Sequence, residues 1–551
     1  MTKTDAGGGL GRASALLASG TFVSRILGFV SAAVLAQAIG ITGAGADTFA
    51  IANQLPNNIY AIIAGGLLSA VLVPQIVKAG MHDDGGQRFI NRLVTLGLVV
   101  FVVAAVVATV AAPLLVRLYA RESVDGSRGF SPEEMALATA FAYWCLPQVL
   151  FYAIYSLLGE VLNARKIFGP FTWTPVLNNL VAIAGMVVFI VAFGGDPAHT
   201  HADTWTPAMI ALLAGSATLG IAVQGIGLFF FWRRAGLSYR PDFHWRGVGL
   251  GATGKAAGWV FGMIVVTQLA GLVQSYVASS ATGDGDAAVR VLGLSWLIFM
   301  LPHSIAAVSI ATAYFTRMSG HAHDGNIDGV RTDFSSSIRS IGMIMVFSAV
   351  GLVVLAYPFS AVFATSFDST QAMANVVMAY LVGLVPFSIL FLIQRTFYSL
   401  GDTRTPFFLQ VFQSVLFVIG ATIVGMTWDK SWIAVGVALV TSLAGSAQAV
   451  AAAVMLRRRL GRIDAARILR RHAAFALAAL PAAGVGVALL FALGGTTDGG
   501  FAVLNRLTAF VSMGLIGGAM ALVYVGVLVA LRNPELGEII RPIVRRVRRR
   551  P

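Results

Sequence analysis

The sequence predicts an all-α polytopic membrane protein: fourteen transmembrane helices, set as two six-helix lobes in a parallel pseudo-twofold repeat, plus two C-terminal helices. Three observations lead there. Of 551 residues, 57% are hydrophobic and only 11% charged, against roughly 25% charged in a soluble domain, so the chain could not cover a water-facing surface. Apolar runs of the roughly 20 residues that cross a bilayer core occur fourteen times. The short polar loops between them alternate in charge. Together these exclude a disordered chain, a disulfide scaffold (Cys145 is the lone cysteine) and an ordinary water-soluble enzyme.

The runs follow in order. Residues 15–40, 48–77, 93–116, 135–163, 172–194 and 206–232 fill a first lobe, 1–247. Residues 256–281, 287–316, 341–364, 371–400, 406–427 and 431–456 fill a second, 248–460. The last two, 473–494 and 503–531, occupy 461–532 and precede a basic tail, 533–551. The first run closes at Gly40, the second is interrupted by Pro56, and the fourth, fifth and tenth carry Pro147, Pro175 and Pro386. Proline inside a helix removes one backbone hydrogen bond, a feature more frequent in membrane helices than in soluble ones.

Loop charges set the expected orientation. Alternate loops hold the cations, among them Arg88 and Arg92, Arg233 and Arg234, Arg457, Arg458 and Arg459, and the arginines that end the chain. The intervening loops hold acids such as Asp196, Asp203, Asp284, Asp368 and Asp498. Positive loops stay in the cytoplasm, so both termini are expected there. The net charge of +14 then marks a membrane face and anionic lipid headgroups, not nucleic acid. An A-x-A pattern at Ala36-Gln37-Ala38 imitates a signal-peptide cleavage site, but the long, weakly basic region before it argues for a retained span.

Three correspondences point to an internal repeat. Ser24-Arg25-Ile26-Leu27-Gly28 echoes Thr267-Gln268-Leu269-Ala270-Gly271, and Leu55-Pro56 recurs as Leu301-Pro302. Pro147 and Pro386 stand at equal distances before Arg165 and Arg404. An even number of spans per copy orients both copies alike, as in transporters built from parallel repeats.

Polar residues inside spans cost energy and need a reason. Arg25 lies about 15 Å deep if its span begins near Ala15, at 1.5 Å per residue; if the span begins near Thr21, Arg25 snorkels to the surface. The second run carries Asp47, Asn53, Gln54, Pro56, Asn57 and Asn58, with Asn53 and Asn57 on one face. This suits either a kinked helix lining a cavity or hydrogen-bonding contacts between helices. Gln268 and Gln274, His303, and Gln394 with Arg395 extend the set. Glu160 is expected to pair with Arg165 or Lys166.

Other patterns are weaker. Gly249 to Lys255 matches a phosphate-loop spacing, but Ala256 stands where magnesium needs a hydroxyl. His199/His201 and His321/His323 fall on opposite membrane sides by the loop charges and read as solvated loops rather than a metal site.

Ser24-Arg25-Ile26-Leu27-Gly28-Phe29, Gly45-Ala46-Asp47-Thr48-Phe49, Leu55-Pro56-Asn57 and Val73-Pro74 resemble the opening of MurJ (MviN)-type lipid II flippases. Phe397-Tyr398-Ser399, Asp402 and Thr405-Pro406 resemble that family's turn between spans ten and eleven. The resemblance implies the multidrug/oligosaccharidyl-lipid/polysaccharide exporter fold, with the last two spans forming a groove for a lipid tail. It also implies alternating-access transport of lipid II across the bacterial cytoplasmic membrane. Substrate contacts are expected from Arg25, Asn53, Asn57, Gln268 and Arg395, and gating or structural roles from Asp47, Pro56, Pro302, Asp402 and Arg404. No cofactor is expected; the membrane potential or an ion gradient would drive transport, and cell-wall synthesis proteins are possible partners. Several positions depart from the family's arginine-rich cavity: Ser31, Tyr60 and Leu297 stand where arginine is common, and Gly65 where glutamate is. A flippase for another polyprenyl-diphosphate glycan and a drug or cation antiporter of the same fold are the alternatives.

Overall fold

The computed structural model describes residues 5–67, 86–124, 128–165, 167–244, 254–282 and 285–537. Among them the regular structure is helical, apart from one isolated bridge between Glu122 and Phe130. Among the described residues, twelve helices are long and apolar enough to cross a bilayer, or thirteen when the bent pair Phe367–Leu381 and Leu384–Ser399 counts as one span. The run outside that count is the second, whose helix Ala44–Leu67 carries Asp47, Asn53, Gln54, Asn57 and Asn58, and whose expected end at 77 lies outside the described residues.

The chain divides into two compact units, Met1–Asp284 and Gly285–Pro551. The first contains α1 (Asp5–Ile39), α2 (Ala44–Leu67), α3 (Gln87–Val110), α4 (Ala112–Tyr119), α5 (Pro132–Cys145), α6 (Gln148–Ala164), α7 (Phe168–Phe193), α8 (Pro207–Ile226) and α9 (Gly254–Ser279). Its core joins Val94 and Phe101 of α3 to Leu157, Leu158 and Val161 of α6, closed by Leu228 and Trp232 after α8. α1 packs along α7, and α7 along α8. Glycine permits the closest approach: a Cβ on Gly225 of α8 would stand 2.7 Å from the Phe151 carbonyl oxygen of α6, and small residues of this kind let membrane helices meet at backbone distance. The seventh expected span, α9, packs on α2 and α4 inside this first unit, whereas the expected boundary at 247/248 puts it in the second.

The second unit contains α10 (Val289–Pro302), α11 (Val308–His323), α12 (Ile327–Val354), α13 (Ala356–Ala361), α14 (Phe367–Leu381), α15 (Leu384–Ser399), α16 (Arg404–Thr427), α17 (Ile433–Leu460), α18 (Ala465–Ala492) and α19 (Arg506–Ala530). One of the repeat correspondences has a structural counterpart. Pro147 sits at the break between α5 and α6, and Pro386 follows the break between α14 and α15, where the chain bends by 44°. Pro56 lies within the continuous α2, but Pro302 ends α10 and is followed by a π-helical turn, His303–Ala307. α18 and α19 close on α12 through Met343, Phe475, Ala479, Met520 and Tyr524, and the Tyr524 hydroxyl donates to the Met343 carbonyl at 2.8 Å.

After α8 the chain returns as a strap along α3. The Ser238 N–H donates to the Gln87 side chain, Thr95 and Tyr239 share a hydroxyl contact at 3.1 Å, and the Asp242 N–H donates to the Thr95 hydroxyl at 3.1 Å. Gln87, Asn91 and Thr95 recur at i, i+4 and i+8, so one helix face carries the whole contact. Asp242 receives the His244 backbone and ring N–H and the Arg92 guanidinium at 2.9 Å, and these hold its carboxyl down to about 2 from the usual 3.8. A carboxylate with a depressed folded pKa stabilises above its unfolded pKa and loses that contribution as pH falls through the folded value. The melting temperature of Asp242→Asn should therefore lie below that of the parent protein at pH 6, and the gap should close as pH drops from about 4 toward about 2. A gap that stays constant across that range refutes the assignment.

Candidate functional site

α2 and α9 meet along a polar seam. The Gln54 amide donates to the Ser275 hydroxyl at 3.0 Å, and the Thr282 hydroxyl donates to the fully buried Asp47 carboxylate at 3.2 Å. Seven residues separate both Asp47 from Gln54 and Ser275 from Thr282, with opposite sense, so the helices run antiparallel. Gln268 lies seven residues before Ser275 and continues the same face of α9. The Ser279 hydroxyl also accepts the Arg121 backbone N–H at 2.8 Å, tying the end of α9 to the segment after α4. Gln268 recurs with Ser275, Ser279 and Thr282 at helical spacing, and that periodicity is the sequence signal that marks the seam. Singly, the serines and the threonine look like ordinary small residues.

The expected site residues divide by environment. Asn53 accepts from the buried Gln148 amide at 3.3 Å, and Gln148 also donates to Thr218 at 3.0 Å. This places Asn53 in a hydrogen-bonded knot joining α2, α6 and α8. Asn57, one turn on, is exposed, and Gln268 is half-buried; neither has a partner among the described residues. Pro56 between them is buried.

Arg25 lies on α1, within the candidate span over Ser19–Ile39. The Asn179 amide of α7 donates to the Ser24 carbonyl at 3.0 Å, which fixes this turn of α1 against its neighbour. The Arg25 side chain is exposed and has no hydrogen bond or ion pair among the described residues. An arginine left without an acid within a span retains its capacity to hold an anion.

Arg395 belongs to the second unit, where its guanidinium lies 5.0 Å from the Phe391 ring centre and 5.5 Å from that of Phe315. Phe391 and Phe387 in turn flank His303, whose Nδ1 lies 2.9 Å from the Ser388 hydroxyl. The π-helical turn after Pro302 thus directs a buried histidine into an aromatic wall of α15, and π turns of this sort occur often at functional sites. Ser388 carries no sequence signal; only the fold brings it to His303.

Asp402 is a capping residue: its carboxylate accepts the Thr405 N–H at 2.9 Å and the Thr405 hydroxyl at 2.7 Å, at the start of α16. Arg404 follows it and lies over the Phe408 ring at 5.6 Å. Of the two partners expected for Glu160, Lys166 lies outside the described residues. One expectation is corrected. His199 is not solvated: it is buried between Phe189 and Trp205, because its loop folds back over the start of α2. No group of three or more His, Cys, Asp or Glu able to hold a metal occurs among the described residues. The phosphate-loop-like stretch from Gly249 falls outside them as far as Thr253.

The family model for the lipid II flippase MurJ matches residues 35–510. The chain belongs to the MurJ lipid II flippase family. A probable lipid II flippase MurJ of Haemophilus influenzae is 26% identical over 490 residues, covering 84% of this chain and 88% of that one. One of Rickettsia prowazekii is 24% identical over 414 residues, covering 74% and 76%. A solved lipid II flippase MurJ in an inward closed conformation superposes with a TM-score of 0.69 at 20% identity, over 93% of this chain and 99% of that one. A multidrug resistance MATE family transporter of the MOP superfamily, in an inward-facing conformation, superposes at 0.59 with 17% identity, over 80% and 95%. Like its MurJ relatives, the chain is a multi-span membrane protein of a transporter family.

Proposed function

We propose that this protein carries lipid II from the inner to the outer leaflet of the bacterial cytoplasmic membrane, by alternating access and for cell-wall synthesis. The observation that carries this reading is the family match across residues 35–510. The physical problem is the headgroup: a diphosphate and sugars cannot enter hydrocarbon without a hydrogen-bonding path, whereas the polyprenyl tail stays in lipid. Arg25 supplies a free cation for the diphosphate. Asn57 and Gln268 supply free amides for sugar hydroxyls, beside a seam of side-chain hydrogen bonds between α2 and α9. Such a seam can break and re-form without exposing a hydrophobic core. Arg395 is the corresponding cation of the second unit.

Both termini face the cytoplasm in this reading, because the arginine-rich loops do. The inside-negative potential then favours outward movement of an anion by about 2.3 kcal/mol per charge per 100 mV, so transport proceeds without a nucleotide cofactor. The test is replacement of an essential lipid II flippase by this chain, scored for growth and for lipid II reaching the outer leaflet. Rescue on both counts is expected. A well-expressed protein that restores neither overturns the assignment.

A further inference from the structure

We propose that the corner between α17 and α18 binds the phosphate headgroup of an anionic phospholipid, seated in a cleft between the ends of α11, α15 and α17. Six arginines crowd this corner: Arg457, Arg458, Arg459, Arg462, Arg467 and Arg470. All are exposed, and none has an ion-pair partner among the described residues. Arg471, the next in line, turns inward to Glu535. The acids close by are few: Asp464 in the connecting turn, Asp324 beside His323, and Asp328, already held by Arg331 at 2.5 Å. So large an excess of one sign requires counter-charge from outside the protein.

The location supplies it. The spans Lys430–Leu460 and Ala465–Ala492 are joined by only four residues, so every one of these arginines lies within about 9 Å of the bend along its helix. That is comparable to the headgroup layer, about 5–8 Å on each side of the hydrocarbon.

A cleft of about 560 Å³ opens at the same corner, lined by Ser319 and His323 of α11, Ser399 of α15, Arg459 of α17, and apolar Ile327 and Leu400. The Ser319 hydroxyl and the His323 ring have no partner among the described residues. The carbonyl end of a helix ordinarily repels an anion, but here the Arg331 guanidinium takes the Leu460 carbonyl from both Nε and Nη2 and neutralises the end of α17. The cleft therefore offers free donors, a cation and an apolar wall at bilayer depth, the makeup of a basic pocket between spanning helices that holds a lipid headgroup. The inference stands apart from the identity of the transported substrate.

The full chain, purified in neutral detergent, should bind short-chain phosphatidylglycerol, while phosphatidylcholine and inorganic phosphate bind at least about a hundredfold more weakly. Each arginine near a lipid surface is worth about fivefold in affinity, so the triple variant Arg458→Gln, Arg459→Gln, Arg462→Gln should lose about a hundredfold for phosphatidylglycerol. The matching triple Lys variant should stay within about tenfold of the parent and shows that the corner tolerates substitution. Ser319→Leu, which removes the hydroxyl, intrudes into the cleft and leaves the arginines alone, should weaken binding as well. Parent-like affinity in the Gln variant, or inorganic phosphate binding as tightly as the lipid, overturns the proposal. So does an unaffected Ser319→Leu, which reduces the cleft to a diffuse basic surface.

Discussion

Replacing Arg25 with Ala is expected to lower lipid II translocation by about ten- to a hundredfold with unchanged expression and unchanged melting temperature. A hydrogen bond to a charged group is worth about 1.5–3 kcal/mol, and each 1.4 kcal/mol is a factor of ten. The unchanged stability follows from the environment: Arg25 is exposed and has no partner among the described residues, so its loss strands no buried acid. Arg25→Lys should recover part of the rate, because an ammonium keeps the charge but not the planar fork that grips two phosphate oxygens. Flipping in proteoliposomes by all three proteins measures this. A fully active Ala variant would show that Arg25 only reaches for the membrane surface.

The second large effect lies at the C-terminal end of the described chain. Beyond α19, Asn533 accepts the Glu535 and Leu536 N–H groups and starts a helical turn at 534–537. That turn inserts the Glu535 carboxylate between α12 and α18, where Arg339 donates to it at 2.7 Å and the Arg471 guanidinium stands 3.5 Å away. The side chains of Arg339 and Glu535 are 9% and 2% exposed, so water cannot replace a missing partner. Breaking a buried pair by removing one member costs about 3–5 kcal/mol, whereas replacing both by apolar groups is often nearly neutral. Arg339→Met and Glu535→Leu should each destabilise by about that amount, and the double variant should recover most of the loss. Unfolding in detergent across the four proteins measures the cycle. Additive losses refute the pair as a coupled anchor.

The same residue illustrates why sequence reading stops where it does. From composition, Glu535 is one acid in a basic tail expected over 533–551, and nothing local distinguishes it from a solvated charge. Its role depends on two arginines 196 and 64 positions away in the chain, and only packing reveals such distances. Asp47 is intermediate. Its place near the end of a span marks it as costly and hence meaningful, but its partner Thr282 lies 235 residues on. Asn53 and Asn57 share a helix face by spacing alone, yet one is tied to Gln148 and the other is exposed; periodicity predicts a face, not what stands opposite it. His199 misleads for the opposite reason. A His-x-His in a polar loop looks solvated until Phe189 and Trp205 enclose it.

What the sequence by itself determined is the class: an all-helical membrane chain of many spans, and the motifs that resemble its family. These follow from one-dimensional physics, because hydrocarbon demands about 20 apolar residues per crossing and backbone hydrogen bonds closed within each segment. Tertiary structure decided which polar side chains are spent on holding helices together and which remain free. It put α9 beside α2, buried Asn53's partner, joined Glu535 to Arg339, and left Arg25, Asn57 and Gln268 without partners among the described residues. The reason is that a polar group in a membrane protein is defined by its partner, and the partner is set by packing across distances that local sequence does not encode.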